Sequence, residues 1–240
     1  MGSYQKLERY LHAEMERLRS THPVAPESGA ARPFVTISRQ AGAGAISLAG
    51  AIVDAFDRED DRDLFSDWQV FDHNLTDVVR TEPSIARSLD SLLDEEYRSP
   101  TADFFHQLVR ATSDQDRALA RVFQAVRSLA MIGKTIIIGR AGSRVTADLP
   151  LGVHLRLVAS ETTRVAGLME SDGLDARHAR SELRKIDARR ARLLKVYFSV
   201  DVDDPSGYDA VWNLDSASHV EIAEATAAVI SRRVKGRAGS

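Results

Sequence analysis

The chain has 240 residues, 43% of them hydrophobic and 28% charged, and its 32 Lys and Arg against 35 Asp and Glu leave a formal charge of −3. That length suits one large α/β domain with a full core, and the near-neutral balance gives no global pull toward nucleic acid or anionic lipid, so neither is expected as a partner. No apolar run reaches the roughly 20 residues of a membrane span, and the absence of cysteine excludes disulfides and thiolate metal sites, which fits a cytoplasmic protein.

In chain order, MGSYQKLERYLHAEMERLRS is charged throughout and has no apolar core of the kind an export signal needs. Leu7, Leu11, Met15 and Leu18 recur at steps of three or four and predict an amphipathic helix within residues 1–20. Such an appendage either folds back on the domain or pairs two copies into a homodimer. THPVAPESGAARP is rich in proline and small polar residues and reads as a linker over 21–32. A domain over 33–234 follows, with a short tail over 235–240 that is expected to be disordered.

Within the domain five short runs have strand character: PFVTIS, WQVFD, KTIIIG, GVHLRLVA and AVWNLD. Between them lie helical patterns from about Ile46 to Phe56, several from His73 to Ile132, more over 160–198, and one from Ser218 to Val234. Val- and Ile-rich strands alternating with helices predict a parallel sheet covered on both faces. The apolar stripes at Phe104, Phe105, Leu108 and Val109, and at Leu119, Val122, Phe123, Val126, Leu129 and Met131, read as core.

The first strand runs into ISRQAGAGAISLA. A glycine turn leading from a strand into a helix offers backbone N–H groups and the positive end of the helix dipole to an anion, although Gly42 and Gly44 also suit a plain tight turn. In the register G-x-x-G-x-G-K-x-[ST], Arg39 stands at the first glycine, Ala45 at the lysine and Ser47 at the hydroxyl. The lysine that normally bridges donor phosphates is therefore absent, and its charge has to come from elsewhere. The seven histidines form no zinc motif, and a dinucleotide fingerprint fails because Ser47 occupies its third glycine position.

ISRQAGAGAISLA resembles the first motif of the cytidylate-kinase-like family of P-loop kinases, I-S-R-E-x-G-S-G-G-R-E-I-A, a family that also lacks the lysine. VFDHNLTDVV is similar to its Y-D-K-E-L-I-x-x-V, and IIIGRAGSRV to its V-I-V-G-R-x-A. In KIDARRARLLKVYFSVDVDDPSGYDAVWNL, residues Asp187, Arg190, Ala191, Tyr197, Asp204, Pro205, Tyr208, Asp209 and Asn213 align without gaps with the family's late motif. The chain departs from the family at Gln40, Ala45 and Ile46, and from true cytidylate kinases at Ile138 and Ala141, where they carry acids.

The resemblance implies a three-layer α/β P-loop NTPase fold with a five-stranded parallel sheet in the order 2-3-1-4-5 and a mobile helical lid over about 160–205. It implies transfer of the γ-phosphoryl of ATP, with Mg²⁺, to a nucleotide or another small acceptor. In that scheme Gly42, Ala43, Gly44 and Ala45 cradle donor phosphates, Ser47 ligates Mg²⁺, and Arg39 and Arg190 stabilise the transferring charge. Asp72 either handles the acceptor and Mg²⁺ or caps the next helix, and Arg140 either holds phosphate or base or makes a structural salt bridge. Arg189 and Arg192 are further substrate-binding candidates, but with Arg190 they span one helical turn and cannot all face one site. The alternative is a nucleotide-binding protein with little or no turnover.

Overall fold

The computed structural model describes residues 32–72 and 114–238. The expected helix over 1–20, the linker up to residue 31, and the helical patterns of 73–113 lie outside the described residues. The described elements are β1 (Phe34–Arg39), α1 (Ala45–Phe56), α2 (Arg62–Phe65), β2 (Gln69–Phe71), α3 (Asp114–Ile132), β3 (Thr135–Ile138), α4 (Gly142–Val145), β4 (Gly152–Val158), α5 (Glu161–Asp172), α6 (Ala176–Phe198), β5 (Ala210–Asn213) and α7 (His219–Ala238). The last helix runs four residues beyond its expected end, so 235–238 are helical rather than a tail. No helix among the described residues is long and apolar enough to cross a membrane.

The five strands form one parallel sheet in the order β2-β3-β1-β4-β5, as the resemblance implied. Side chains alternate between the two faces of a strand, and that alternation builds two different layers here. Val35 and Ile37 of β1, Ile136 and Ile138 of β3, and Val153, Leu155 and Leu157 of β4 bury against α1 and α7, where Leu48, Ile52, Phe56, Ile222 and Ile230 meet them. On the other face Phe34 and Ile137 pack with Phe123, Val126 and Leu129 of α3. Fully burying one such side chain contributes roughly 1.5–3 kcal/mol, so each face has a dry anchor.

Toward the carboxyl ends of the strands the second face turns polar. Thr36, Ser38, His154 and Arg156 all project there, opposite the apolar residues that flank them in sequence. Thr36 Oγ1 lies 2.8 Å from His154 Nδ1. Arg156, only 3% exposed, donates to Ser38 Oγ at 3.1 Å and to Asp203 at 2.5 Å, and its guanidinium lies 5.6 Å from the centre of the Tyr208 ring. The segment between α6 and β5 is thereby fastened over this polar layer. Arg127, 1% exposed on α3, clamps Asp148 with two bonds of 2.7 and 2.8 Å and donates to the Val145 carbonyl, fixing α4 beneath the sheet's end.

Burial lowers His154 from the ordinary 6.5 to about 4; Asp209 opposes this shift, whereas Arg233 and Arg144 add to it. The folded chain thus refuses a proton that the unfolded chain accepts. Stability from this group is complete above pH 6.5 and drains as the pH falls toward 4. Urea unfolding should show a loss of roughly 2 kcal/mol between neutral pH and about pH 5. His154→Gln should flatten that part of the profile.

Candidate functional site

The bend between β1 and α1 is built by two left-handed glycines, Gly42 with φ 75° and Gly44 with φ 59°. At Gly42 the requirement is steric as well, because an added Cβ would run into the backbone of Arg164 on α5. Gly167, one turn further along α5, meets the Gly42 carbonyl in the same backbone-to-backbone fashion. Beyond the bend α1 starts without a side-chain cap. The N–H groups of Gly42, Gly44, Ala45, Ile46 and Ser47 have no protein partner among the described residues, and Gly44, Ile46 and Ser47 are exposed. Ala43 and Ala45 instead turn their methyl groups into the core; Ala45 is 7% exposed among Leu48, Ala49 and their neighbours.

The expected lid is docked on this bend. α5 and α6 pack together around Val165, Leu168, Ala179 and Leu183, and Ala41 of the bend belongs to the same cluster. Asp187 on α6 accepts from the Ala41 N–H at 2.7 Å and from Arg164 at 2.6 Å. One turn later Arg190 donates to the Arg39 carbonyl at 3.1 Å. Asp215, after β5, accepts from the Ser160 N–H at 2.8 Å and from Thr163 Oγ1 at 2.6 Å, steadying the first turn of α5.

Behind the bend, on the polar face of the sheet, lies a cavity of about 480 Å³ between β1, the turn after β3, α3 and α6. This is within the range of small-molecule sites, roughly 300–1,000 Å³. A smaller cavity of about 160 Å³ adjoins it, sharing Arg39, Arg190 and Val202. The sequence candidates Arg39, Arg140, Arg189 and Arg190 all line the larger cavity. Arg39 lies against the α-carbon of Gly139, whose φ of 80° and missing side chain make the approach possible.

The electrostatics are strained in one direction. Burial, then the charges of Arg190 and Arg140, push the Arg39 guanidinium down from the ordinary arginine range to about 9, with Asp72 pulling the other way. Burial also lowers Arg190; Asp187 opposes this, while Arg140, Arg156 and Arg189 add to it. Arg39 remains charged at neutral pH, yet its guanidinium makes no hydrogen bond or ion pair among the described residues. An anion entering the cavity would relieve this repulsion.

Among the other candidates, Asp72 lies at the end of β2, close enough to act on Arg39. Of the two alternatives Arg189 and Arg192, Arg189 lines the larger cavity, whereas Arg192 is exposed and lines neither. The reason is angular: at about 100° per residue it points away from Arg190 on the same helix. Arg156, Arg164 and the bonds made by Asp187 are contributions that the motifs do not reveal. Arg156 carried a visible signal as a charge in GVHLRLV, where the alternate positions are apolar. Asp187→Ala would orphan the Ala41 N–H and Arg164, and should cost about 2 kcal/mol in urea unfolding. Arg192→Ala should stay within about 0.5 kcal/mol of the parent.

Comparison with solved structures gives a match to an uncharacterized protein from Eubacterium ventriosum, 18% identical over 84% of this chain and 97% of that one, with a TM-score of 0.59. A gluconokinase from Sinorhizobium meliloti is 13% identical over 86% of this chain and 95% of its own, with a TM-score of 0.41. A shikimate kinase from Bacteroides thetaiotaomicron is 11% identical over 83% and 95%, with a TM-score of 0.38. No curated protein matches the sequence. The sequence matches the cytidylate kinase-like family over residues 34–216, which take in the bend, the arginine-lined cavity and both docked helices, and the chain belongs to that family.

Proposed function

We propose that the protein is a phosphotransferase that moves the γ-phosphoryl of ATP to a small acceptor held in the arginine-lined cavity. The observation that carries the reading is the convergence of Arg39, Arg140 and Arg190 around that cavity, with Asp72 the carboxylate that acts on Arg39 and no hydrogen bond or ion pair formed by its guanidinium among the described residues. Phosphoryl transfer needs cationic groups already in place where charge gathers. Arg190 is held by its bond to the Arg39 carbonyl, and Arg39 by its packing against Gly139, before any ligand arrives.

The donor belongs at the glycine bend, whose free N–H groups and helix end suit phosphate oxygens. The two left-handed glycines and the open amides of Gly44 to Ser47 fit such a group. Mg²⁺ would take Ser47 as its protein ligand and neutralise phosphate charge when bound. Among the described residues no three His, Asp or Glu side chains converge on a metal, so phosphate oxygens and water would fill most of its shell. On the acceptor side Arg140 holds the anion, Arg189 contributes from the rim, and Asp72 takes the proton of the reacting oxygen. Asp187 and Arg164 hold α5 and α6 against the bend and exclude water.

A binding protein with little turnover is the competing reading, and Ala45 favours it: its methyl group is buried where the lysine of comparable loops reaches the phosphates. Loss of one such charge contact costs about 2.7–4 kcal/mol of transition-state stabilisation. Titration of the protein with ATP and Mg²⁺, followed by transfer assays on a panel of small acceptors, separates the two. Transfer that falls by about 100-fold or more in Arg39→Ala while ATP binding persists supports the enzyme. ATP binding with no transfer to any acceptor supports the alternative, and no binding of ATP removes both.

A further inference from the structure

Resting on the proposed donor role of the glycine bend, we infer that His219 is a phosphate-binding residue there, a group brought by α7 in place of the one that Ala45 cannot supply. The inference starts from a close approach. A Cβ added at Gly44 would lie 3.2 Å from Nε2 and 3.3 Å from Cε1 of the His219 ring, tighter than side chains normally tolerate. Gly44 thus serves twice: its φ of 59° sets the bend, and its missing side chain admits the edge of an imidazole.

The fold fixes that ring from two directions. α7 packs along α1, and Ile222 and Ala223 share a buried layer with Ala45, Leu48 and Ala49, so the two helices start side by side. Ser218 and Glu221 then close the first turn of α7 on itself. The Ser218 N–H and hydroxyl donate to Glu221 at 2.7 and 2.8 Å, and the Glu221 N–H returns to Ser218 Oγ at 3.2 Å. His219 is the first helical residue inside that box.

The charged groups of the elements around the ring are committed elsewhere. Glu221 is engaged by Ser218, Asp215 on the preceding turn by Ser160 and Thr163, and Arg164 of α5, across the bend, by Asp187. α1 brings no acid to its first turn. Burial holds the His219 pKa below the ordinary 6.5, so the free ring is neutral at pH 7. A phosphate at the bend changes that balance, because the open amides begin at Gly44, the residue the ring meets. Negative charge beside an imidazole favours its protonated form, whose bond to an anion is about twice as strong as a neutral one. The ring therefore takes up a proton from solvent as the donor binds and returns it on release.

Isothermal titration of the full chain with ATP, and with tripolyphosphate, which has neither ribose nor base, tests this in the parent, His219→Ala and His219→Gln at constant Mg²⁺. His219→Ala should weaken both ligands by the same factor, about tenfold at about pH 6. Relative to His219→Gln, the parent should bind tripolyphosphate more tightly as the pH falls from about 8 to about 6. Protonation of the ligand itself affects both proteins alike and cancels in that ratio. A loss confined to ATP puts the ring on ribose or base and overturns the inference. So does a parent whose pH profile matches that of His219→Gln. Either result leaves the donor site standing, whereas a parent that binds neither ligand removes that site, and with it the proposed function.

Discussion

Like-charge crowding at the carboxyl end of the sheet is the constraint around which the rest of the structure is arranged. Buried guanidiniums repel each other and lose hydration, so they persist only where the fold holds them from several sides. The chain does so with separate elements: β1 brings Arg39, the turn after β3 brings Arg140, and α6 brings Arg190. Asp187 answers part of the charge from within α6, and Asp203 answers Arg156. Among the described lining residues what is left over is four arginines beside hydrocarbon side chains, with Asp72 acting on Arg39 from the end of β2.

The same elements join that cavity to the glycine bend. α6 touches both, through Asp187 on the Ala41 amide and through Arg190 on the Arg39 carbonyl. The side chain of Arg39 and the backbone of its own strand end thus face two different tasks within one residue. A ligand that pulls on the guanidinium pulls on the strand end that positions the bend. The glycine bend and the arginine-lined cavity are thus joined by a short covalent path.

Much of this was legible in the sequence. All five strands lie within a residue or two of the predicted runs, because Val- and Ile-rich segments between helical patterns have few other solutions in a parallel sheet. The arginines at 39, 140 and 190 were recognisable from the spacing they share with the family, and the cavity collects them. Whether Arg189 or Arg192 joins Arg190 was left open, because a run of arginines on a helix says how many charges there are but not which way the helix is turned. Contacts made between distant segments were illegible for a deeper reason. The meeting of Gly42 with Gly167 depends on two small residues more than a hundred positions apart, and neither is unusual in its own neighbourhood.

The burial of Ala45 bears on any attempt to engineer this protein toward faster turnover. Writing a lysine into position 45 would look like a repair when the sequence is set against loops that carry the lysine. The side chain there sets out toward Leu48 and Ala49 in the dry layer beneath α1, so an ammonium group would have to double back along the helix to reach solvent. Grafting the residue without re-aiming the first turn of the helix would therefore cost packing before it supplied any charge. A cation introduced from α5, whose backbone already rests on the loop at Gly42, is the shorter route.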